Sequence, residues 1–340
     1  MMRFLVVGLG SMGKRRVRNL QYLKNAGEIA GFDPREDRRD EATQKYGINT
    51  FADFDQALEK FDPDALVIST PPDLHVKYAR IAAIRGKHFF SEASVVDDGM
   101  DELISIAAKQ PHVVAAPSCT MRYHPSVQAI KELVDGSDFG KPLLLTYQSG
   151  LWLPDWHPWE DYRSFYAAKR ATGACREIVP FEISWLTWMF GPVELVTGMR
   201  GKLSSLDIDI DDAYQVLLKF RSGMLAHLLV DVISRAPVRV FRLSSDQATI
   251  EWDAVIKQVR FFRADTREWE VIPEPERIQE PGYIVGENMY IEEMRDFVAA
   301  CKGEKPWGYS LEDDKAILDL LSSIELCSDQ HLQVEVGSAA

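Results

Sequence analysis

Cysteine is scarce in this chain. Only Cys119, Cys175, Cys301 and Cys327 occur in 340 residues, and no two of them stand at C-x-x-C spacing. That excludes a disulfide-stapled scaffold and a cysteine-built metal centre, and reduced thiols in a cytoplasmic protein are expected instead. Basic charge is also short: 39 Lys and Arg against 52 Asp and Glu leave a net charge of -13. A nucleic-acid partner, which needs a basic surface, is therefore not expected. No apolar run is long enough to span a membrane, and the one before Gly8 is too brief for a secretory leader, so no membrane partner is expected either. Repeats and low-complexity tracts are missing. What is present, 46% hydrophobic and 27% charged residues, supplies ample core for two domains at this length.

The first positive signal is RFLVVGLGSMGKRR, residues 3–16. Residues 4–7 read as a short strand, and Gly8, Gly10 and Gly13 follow at G-x-G-x-x-G spacing. The first glycine suits a tight turn, the second lets backbone approach a pyrophosphate, and the third lets a helix lie close to the sheet. Ser11 and Met12 open that helix, whose N-terminus offers free amides to phosphate. The context agrees: a helical pattern covers 12–26, and a strand over 28–32 ends at Asp33, twenty residues beyond Gly13. An acid there accepts hydrogen bonds from ribose hydroxyls, so NAD is the expected cofactor. NADP is the alternative, because Arg35, Arg38 and Arg39 follow closely, with Arg38 assigned to the site. Gly8 and Gly13-Lys14 also match a G-x-x-x-x-G-K-[ST] loop except at the last position. Arg15 replaces the hydroxyl that would hold Mg²⁺, which makes nucleotide hydrolysis the minor reading.

Strand and helix alternate through the first third, implying parallel strands. Helices are predicted over 36–46, from Asp53, over 73–85, and over 97–109 with Asp97 or Asp98 as cap. Strands are predicted at 48–50, 65–69, 87–90 and 112–115. Ligands bind at the carboxyl ends of such strands, here Gly8 to Gly13, Asp33, Thr70-Pro71-Pro72 to His75, and Ser91 to Ser94. From Val193 to Ile272 the pattern becomes antiparallel, with strands over 214–220, 224–234 and 238–244 and a hairpin turn at Arg221-Ser222-Gly223. Asp207, Asp209, Asp211 and Asp212 are read as a strand start, and no metal site is expected. Helices over 288–301 and 311–327 follow, with Tyr290 facing the site. Pro180, inside an apolar helical pattern, predicts a break or kink at Val179.

The segments GLGSMGKRR, STPPDLH, GKHFFSEAS and MRYHP occur in order. In sequence and spacing they resemble the glucose-fructose oxidoreductase, inositol dehydrogenase and MocA (Gfo/Idh/MocA) family. ATGACREIVPFEISWLTWMFG is similar to that family's glycine-rich turn and long helix beside the active site. The resemblance covers nearly the whole chain. It implies an α/β architecture: an N-terminal Rossmann dinucleotide-binding domain over 1–121, then an α+β domain over 122–340 with a large, mostly antiparallel open sheet. The C-terminal helices are expected to pack back on the first domain. It also implies a sugar-like or polyol substrate between the two, and self-association on the open sheet as a homodimer or homotetramer. Cofactor contacts are expected from Gly8, Gly10, Ser11, Met12, Gly13, Asp33 and Arg38, and from Thr70, Pro71, Pro72, His75, Glu92 and Ala93.

The family's proton-handling residues do not carry over. Its Glu-Lys-Pro motif falls on Glu92, Ala93 and Ser94, so the lysine is missing. Its aspartate and histidine fall on Glu177 and Phe181, so the histidine base is missing. Thr120 stands where asparagine is common. Oxidising a carbinol requires removing the hydroxyl proton, and a positioned acid or base contributes ~10²- to 10⁴-fold. The work then passes to Glu177 or to residues 151–170, LWLPDWHPWEDYRSFYAAKR, a segment like one in family members associated with surface-polysaccharide sugars. His157, Glu177, Tyr162 and Lys169 are the candidate proton-handling residues. Arg122, Trp156, Arg163, Arg176 and Phe181 are the candidate substrate contacts, through stacking on sugar rings or pairing with a carboxylate or phosphate. The plain alternative is a loop anchored by aromatic packing. The expected activity is NAD(P)-dependent hydride transfer at a sugar carbon. Its competitors are a non-redox lyase-type enzyme that retains NAD and a cofactor-binding protein with little catalysis.

Overall fold

Short apolar strands bounded by glycine and proline are stable when both faces are covered, and the opening of the chain satisfies this with a parallel sheet. The computed structural model describes residues 1–24, 26–281, 283, 285–332 and 334–335. It divides into two compact units, Met1–Tyr123 with Arg277–Lys315, and His124–Glu276 with Ala316–Ala340. In the first, β1 (Met2–Val7), β2 (Gly27–Phe32), β3 (Asn49–Phe51), β4 (Ala65–Ile68), β5 (His88–Ser91) and β6 (Ala115–Pro117) form one sheet in the order β3-β2-β1-β4-β5-β6. Every neighbouring pair is parallel. Helices α1 (Ser11–Tyr22), α2 (Glu36–Tyr46), α3 (Phe54–Phe61), α4 (His75–Ile84) and α5 (Met100–Ala107) lie between the strands. Strand order reverses between β1 and β4, which opens a crevice at their carboxyl ends. The core of this unit joins Phe4, Val6, Val17 and Leu20 to Met294, Phe297 and Val298 from much later in the chain.

The second unit begins with α6 (Pro125–Asp135), which has Pro125 in its first turn and the His124 ring accepting from the Ser126 amide. Its sheet comprises β7 (Pro142–Trp152), β8 (Val193–Gly201), β9 (Ala213–Phe220), β10 (Leu225–Asp231), β11 (Ile233–Ser245), β12 (Ala248–Asp253), β13 (Gln258–Arg263), β14 (Trp269–Pro273) and β15 (Val334–Glu335). The order is β14-β13-β12-β11-β7-β10-β9-β8-β15. Among the described residues only β7 with β10 runs parallel in this sheet. Alternation decides its faces: Leu145, Tyr147, Val216, Leu228 and Phe241 point inward, whereas Leu144, Leu217 and Leu225 are about half exposed. Helix α7 (Ala174–Phe190) packs against β9 and β10. Among the described residues the remaining helices are α8 (Asn288–Cys301), which belongs to the first unit, and α9 (Leu311–Gln330).

Several elements differ from expectation for identifiable reasons. Helix α7 runs unbroken through Pro180. Burial of Ile178, Val179, Ile183, Trp185 and Leu186 outweighs the ~3 kcal/mol that an interior proline costs. Helix α5 starts later than predicted and is not capped by either aspartate side chain. Gly99, at φ +81°, is its cap residue, and the Met100 amide donates to the Asp97 carbonyl. The strand expected at 112–115 is displaced to β6, because the Val113 amide closes a turn on Gln110. The helix expected over 73–85 opens as a 3-10 turn, Pro72–Leu74, before α4. The strand expected over 224–234 is two strands, since the Asp231 carboxylate accepts from the Ile233 and Ser234 amides and turns the chain there.

Candidate functional site

In the first unit the glycines act through contact distances. Gly8 adopts φ +92°, and a Cβ on it would lie 2.7 Å from the Ser69 carbonyl oxygen. A Cβ on Gly13 would stand 1.8 Å from the Gly8 carbonyl oxygen, so only glycine permits this approach of α1 to the turn. Gly10 is the α1 cap residue and makes no side-chain cap bond, so Ser11 and Met12 follow at an open helix N-terminus. Asp33 is buried at the end of β2. Its Oδ2 accepts the Leu9 amide at 2.8 Å and its Oδ1 the Arg35 amide at 2.9 Å. Arg38 Nη1 lies 3.6 Å from Oδ2, and Arg39 donates to the Asp33 and Pro34 carbonyls. Lys14 turns instead to Glu41, at 2.8 Å, and Arg15 to Glu287, at 3.0 Å.

At the end of β4 the Thr70 carbonyl oxygen accepts from His75 Nε2 at 2.9 Å, with Pro71 and Pro72 between them. Burial holds the His75 imidazole below the usual histidine range, so the ring is neutral at pH 7. Thr70 Oγ1 and His75 Nδ1 are both buried without a hydrogen-bond partner among the described residues. These two polar atoms and the glycine cradle suit a dinucleotide.

Glu92 serves the interior. Arg16, fully buried, grips both its oxygens at 2.7 and 2.8 Å and also reaches Glu293 at 2.9 Å. Ser69 donates to Glu92 as well. Burial raises Glu293, against the pull of Arg16; the carboxylate accepts from Ser118, the Cys119 amide and Thr120. The Thr120 hydroxyl is thereby turned inward. Ala93 contributes no polar side chain. Beside it, Ser94 faces Asp314, whose buried carboxyl accepts from the Tyr309 hydroxyl at 3.0 Å. Desolvation pushes Asp314 up to about 6, opposed by Ser94, Tyr309 and Arg122. Arg122 lies over the Tyr309 ring at 4.4 Å and donates to the Gly308 carbonyl. Tyr290 packs under Arg15 and Arg16, 4.1 and 5.3 Å from their guanidinium carbons.

In the second unit, residues 153–172 fold as three 3-10 turns, Leu153–Asp155, Tyr166–Ala168 and Arg170–Thr172. His157 is largely enclosed by aromatic rings. Trp159 stacks on it at 5.1 Å and 20°, Phe165 lies at 5.0 Å and Trp156 at 5.7 Å. Its Nδ1 is 3.0 Å from Glu160 Oε1. Phe165 meets Tyr166 edge-on, and the Tyr166 hydroxyl donates to Glu177 Oε1 at 3.2 Å. Phe181 stands one turn beyond Glu177 on α7, and both are only partly buried. Trp156, His157 and Glu177 are therefore linked through Phe165 and Tyr166.

The other candidates point elsewhere. The Tyr162 hydroxyl accepts from the Asp207 amide. Arg163 pairs with Asp161 and Asp207, and Arg176 pairs with Glu325 at 2.8 Å. Asp209 and Asp211 pair with Arg170, while Asp212 accepts from the Leu203 and Ser204 amides. Lys169 is exposed. No group of three or more potential metal ligands occurs among the described residues. Sequence reasoning missed Glu160 as the partner of His157, Tyr166 as the partner of Glu177, and the Arg16, Glu293 and Asp314 clusters. Only the first carried a local signal: H-P-W-E places proline second in a four-residue turn.

Solved structures of the same fold extend over the full length. An oxidoreductase from Agrobacterium radiobacter in complex with NAD+, L-tartaric acid and magnesium gives a TM-score of 0.87 at 13% identity, covering 100% of this chain and 99% of that one. Levoglucosan dehydrogenase in complex with NADH gives 0.85 at 16% identity, covering 98% and 99%. Myo-inositol 2-dehydrogenase of Thermotoga maritima is 26% identical over 335 residues, 93% of each chain. Residues 2–116 match the model of an oxidoreductase family with an NAD-binding Rossmann fold, and residues 127–251 match the GFO/IDH/MocA C-terminal domain. With both its units matched in order, the chain belongs to the Gfo/Idh/MocA family of oxidoreductases.

Proposed function

We propose that this protein is an NAD-dependent dehydrogenase that moves hydride between the cofactor and a carbinol carbon of a sugar or polyol. The observation that carries the reading is the glycine cradle beside buried Asp33, with Thr70 Oγ1 and His75 Nδ1 left without partners at the same sheet edge. The inositol and levoglucosan dehydrogenases among its relatives favour a polyhydroxylated substrate. When bound, the nicotinamide supplies the hydride acceptor. Gly8, Gly10 and the amides that open α1 would hold the pyrophosphate. Asp33 would accept from the adenine ribose, and neutral His75 would hydrogen-bond near the nicotinamide end. Arg38 beside Asp33 leaves NADP as the weaker ligand. In oxidation the carbinol C–H departs as hydride, and His157 takes the hydroxyl proton. Tyr166 and Glu177 hold a neighbouring hydroxyl, and Trp156 and Phe181 offer apolar contact to the ring carbons.

The test is titration of the protein with NADH and NADPH, then addition of inositols, sugars, uronic acids and nucleotide sugars while absorbance is followed. NADH binding, a substrate-dependent absorbance change and a ~10²- to 10⁴-fold loss of turnover in His157→Asn are expected. Ala93 and Phe181 support a second reading, non-redox chemistry with retained NAD; product formed without net cofactor reduction would favour it and refute the first.

A further inference from the structure

We propose that Glu160 is a positioning residue, accepting the Nδ1–H of His157 so that Nε2 is presented for proton exchange with a substrate hydroxyl. The inference rests on the dehydrogenase reading above. A histidine base needs one ring nitrogen unprotonated and aimed at the substrate, and the hydrogen bond made by the other nitrogen decides which one that is. Here Nδ1 is 3.0 Å from a Glu160 carboxylate oxygen. The local chain enforces the pairing. Pro158 sits second in a turn over 157–160 that is closed by the Glu160 amide donating to the His157 carbonyl at 3.1 Å. That closure brings residues three apart onto one side.

The ring plane is fixed independently by stacking on Trp159 and by contact with Phe165 and Trp156. Tautomer and orientation are thus set by different residues. A carboxylate at Nδ1 also stabilises the imidazolium that forms when Nε2 accepts a proton. The balance is simple: the substrate loses hydride to the cofactor and a proton to Nε2, and the reverse reaction returns both. Glu160 acts through the His157 ring and does not touch substrate. The pair is only partly enclosed, with side-chain exposures of 14% and 31%. The coupling should therefore be clear but moderate.

Glu160→Gln keeps the shape and removes the charge, and Glu160→Asp retains the charge on a shorter arm. Two readouts separate positioning from simple support of the loop. The first is the NMR titration of the His157 ring in the unliganded protein, assigned by comparison with His157→Asn. Its midpoint should fall by about one pH unit in Glu160→Gln and recover partly in Glu160→Asp. The second is the pH profile of kcat/KM, whose acid limb should move down by a similar amount while kcat drops by about 10- to 100-fold and KM changes little. A Glu160→Gln protein with unchanged ring titration and unchanged profile, even with a lowered Tm, would overturn the proposal. A wild type that turns over none of the substrates would instead defeat the dehydrogenase reading, and the ring titration would still decide the Glu160 pairing.

Discussion

Replacing Asp314 by asparagine should stabilise the protein at neutral pH. The carboxyl is buried against Tyr309 and Ser94, and burial raises it from 3.8 to about 6. A group that binds its proton more tightly in the folded state contributes stability below its unfolded value. That contribution disappears as pH rises through the folded value. The difference of roughly two units corresponds to about 3 kcal/mol at most. Asparagine has the same shape, accepts from Tyr309 through its carbonyl oxygen, donates to Ser94 and carries no charge to desolvate. Urea midpoints followed by tryptophan fluorescence, for both proteins from pH 4 to pH 8, should nearly coincide at the acid end and separate in favour of the variant by neutrality. Subtracting the two curves cancels the other titrating groups. A constant difference across that range, or a wild type more stable at pH 7, would refute the assignment of a costly buried charge to this position.

Arg16→Met should cost about 3–5 kcal/mol, because it leaves the fully buried Glu293 carboxylate and the partly buried Glu92 carboxylate without their common cation; chemical denaturation measures it, and near-neutrality would show that water already compensates the pair. The outward face of the nine-stranded sheet leaves Leu144, Leu217 and Leu225 about half exposed, with Leu144 directly beside Leu225 in register. We propose that this face self-associates. Sedimentation at micromolar concentration should show a dimer or tetramer that Leu217→Glu disrupts, and a monomeric wild type would refute it.

The dinucleotide end was legible because its requirements are local. Gly8 and Gly13 are demanded by one backbone turn and one helix approach, and Asp33 by the strand that ends there. The His157 pairing was half legible: the residue stood out, whereas the role of Glu160 follows from a turn geometry that composition does not reveal. The interior clusters were not legible. Arg16 meets Glu293, and Ser94 meets Asp314, across more than two hundred residues, and no periodicity encodes such partners. Pro180 misled because local backbone preference is weak against a helix buried nearly all round. The strand expected over 224–234 was split by one side chain, Asp231, that accepts from amides beyond it. The basic residues of the aromatic loop suggested an anion site, yet Arg163, Arg170 and Arg176 each face an acid supplied from distant chain.

The first unit's core has a consequence for how the protein is made. Phe4, Val17 and Leu20 pack with Met294, Phe297 and Val298, and Arg15 and Asn19 bind Glu287. The ribosome must therefore deliver all of His124–Glu276 before the N-terminal sheet can close its core. At ordinary synthesis rates that interval lasts roughly 8 to 30 seconds. Throughout it, apolar strands and the Arg15 guanidinium wait for their partners. The nascent N-terminal segment is thus a natural client for chaperones, and a chain truncated before α8 would leave the core of the first unit incomplete.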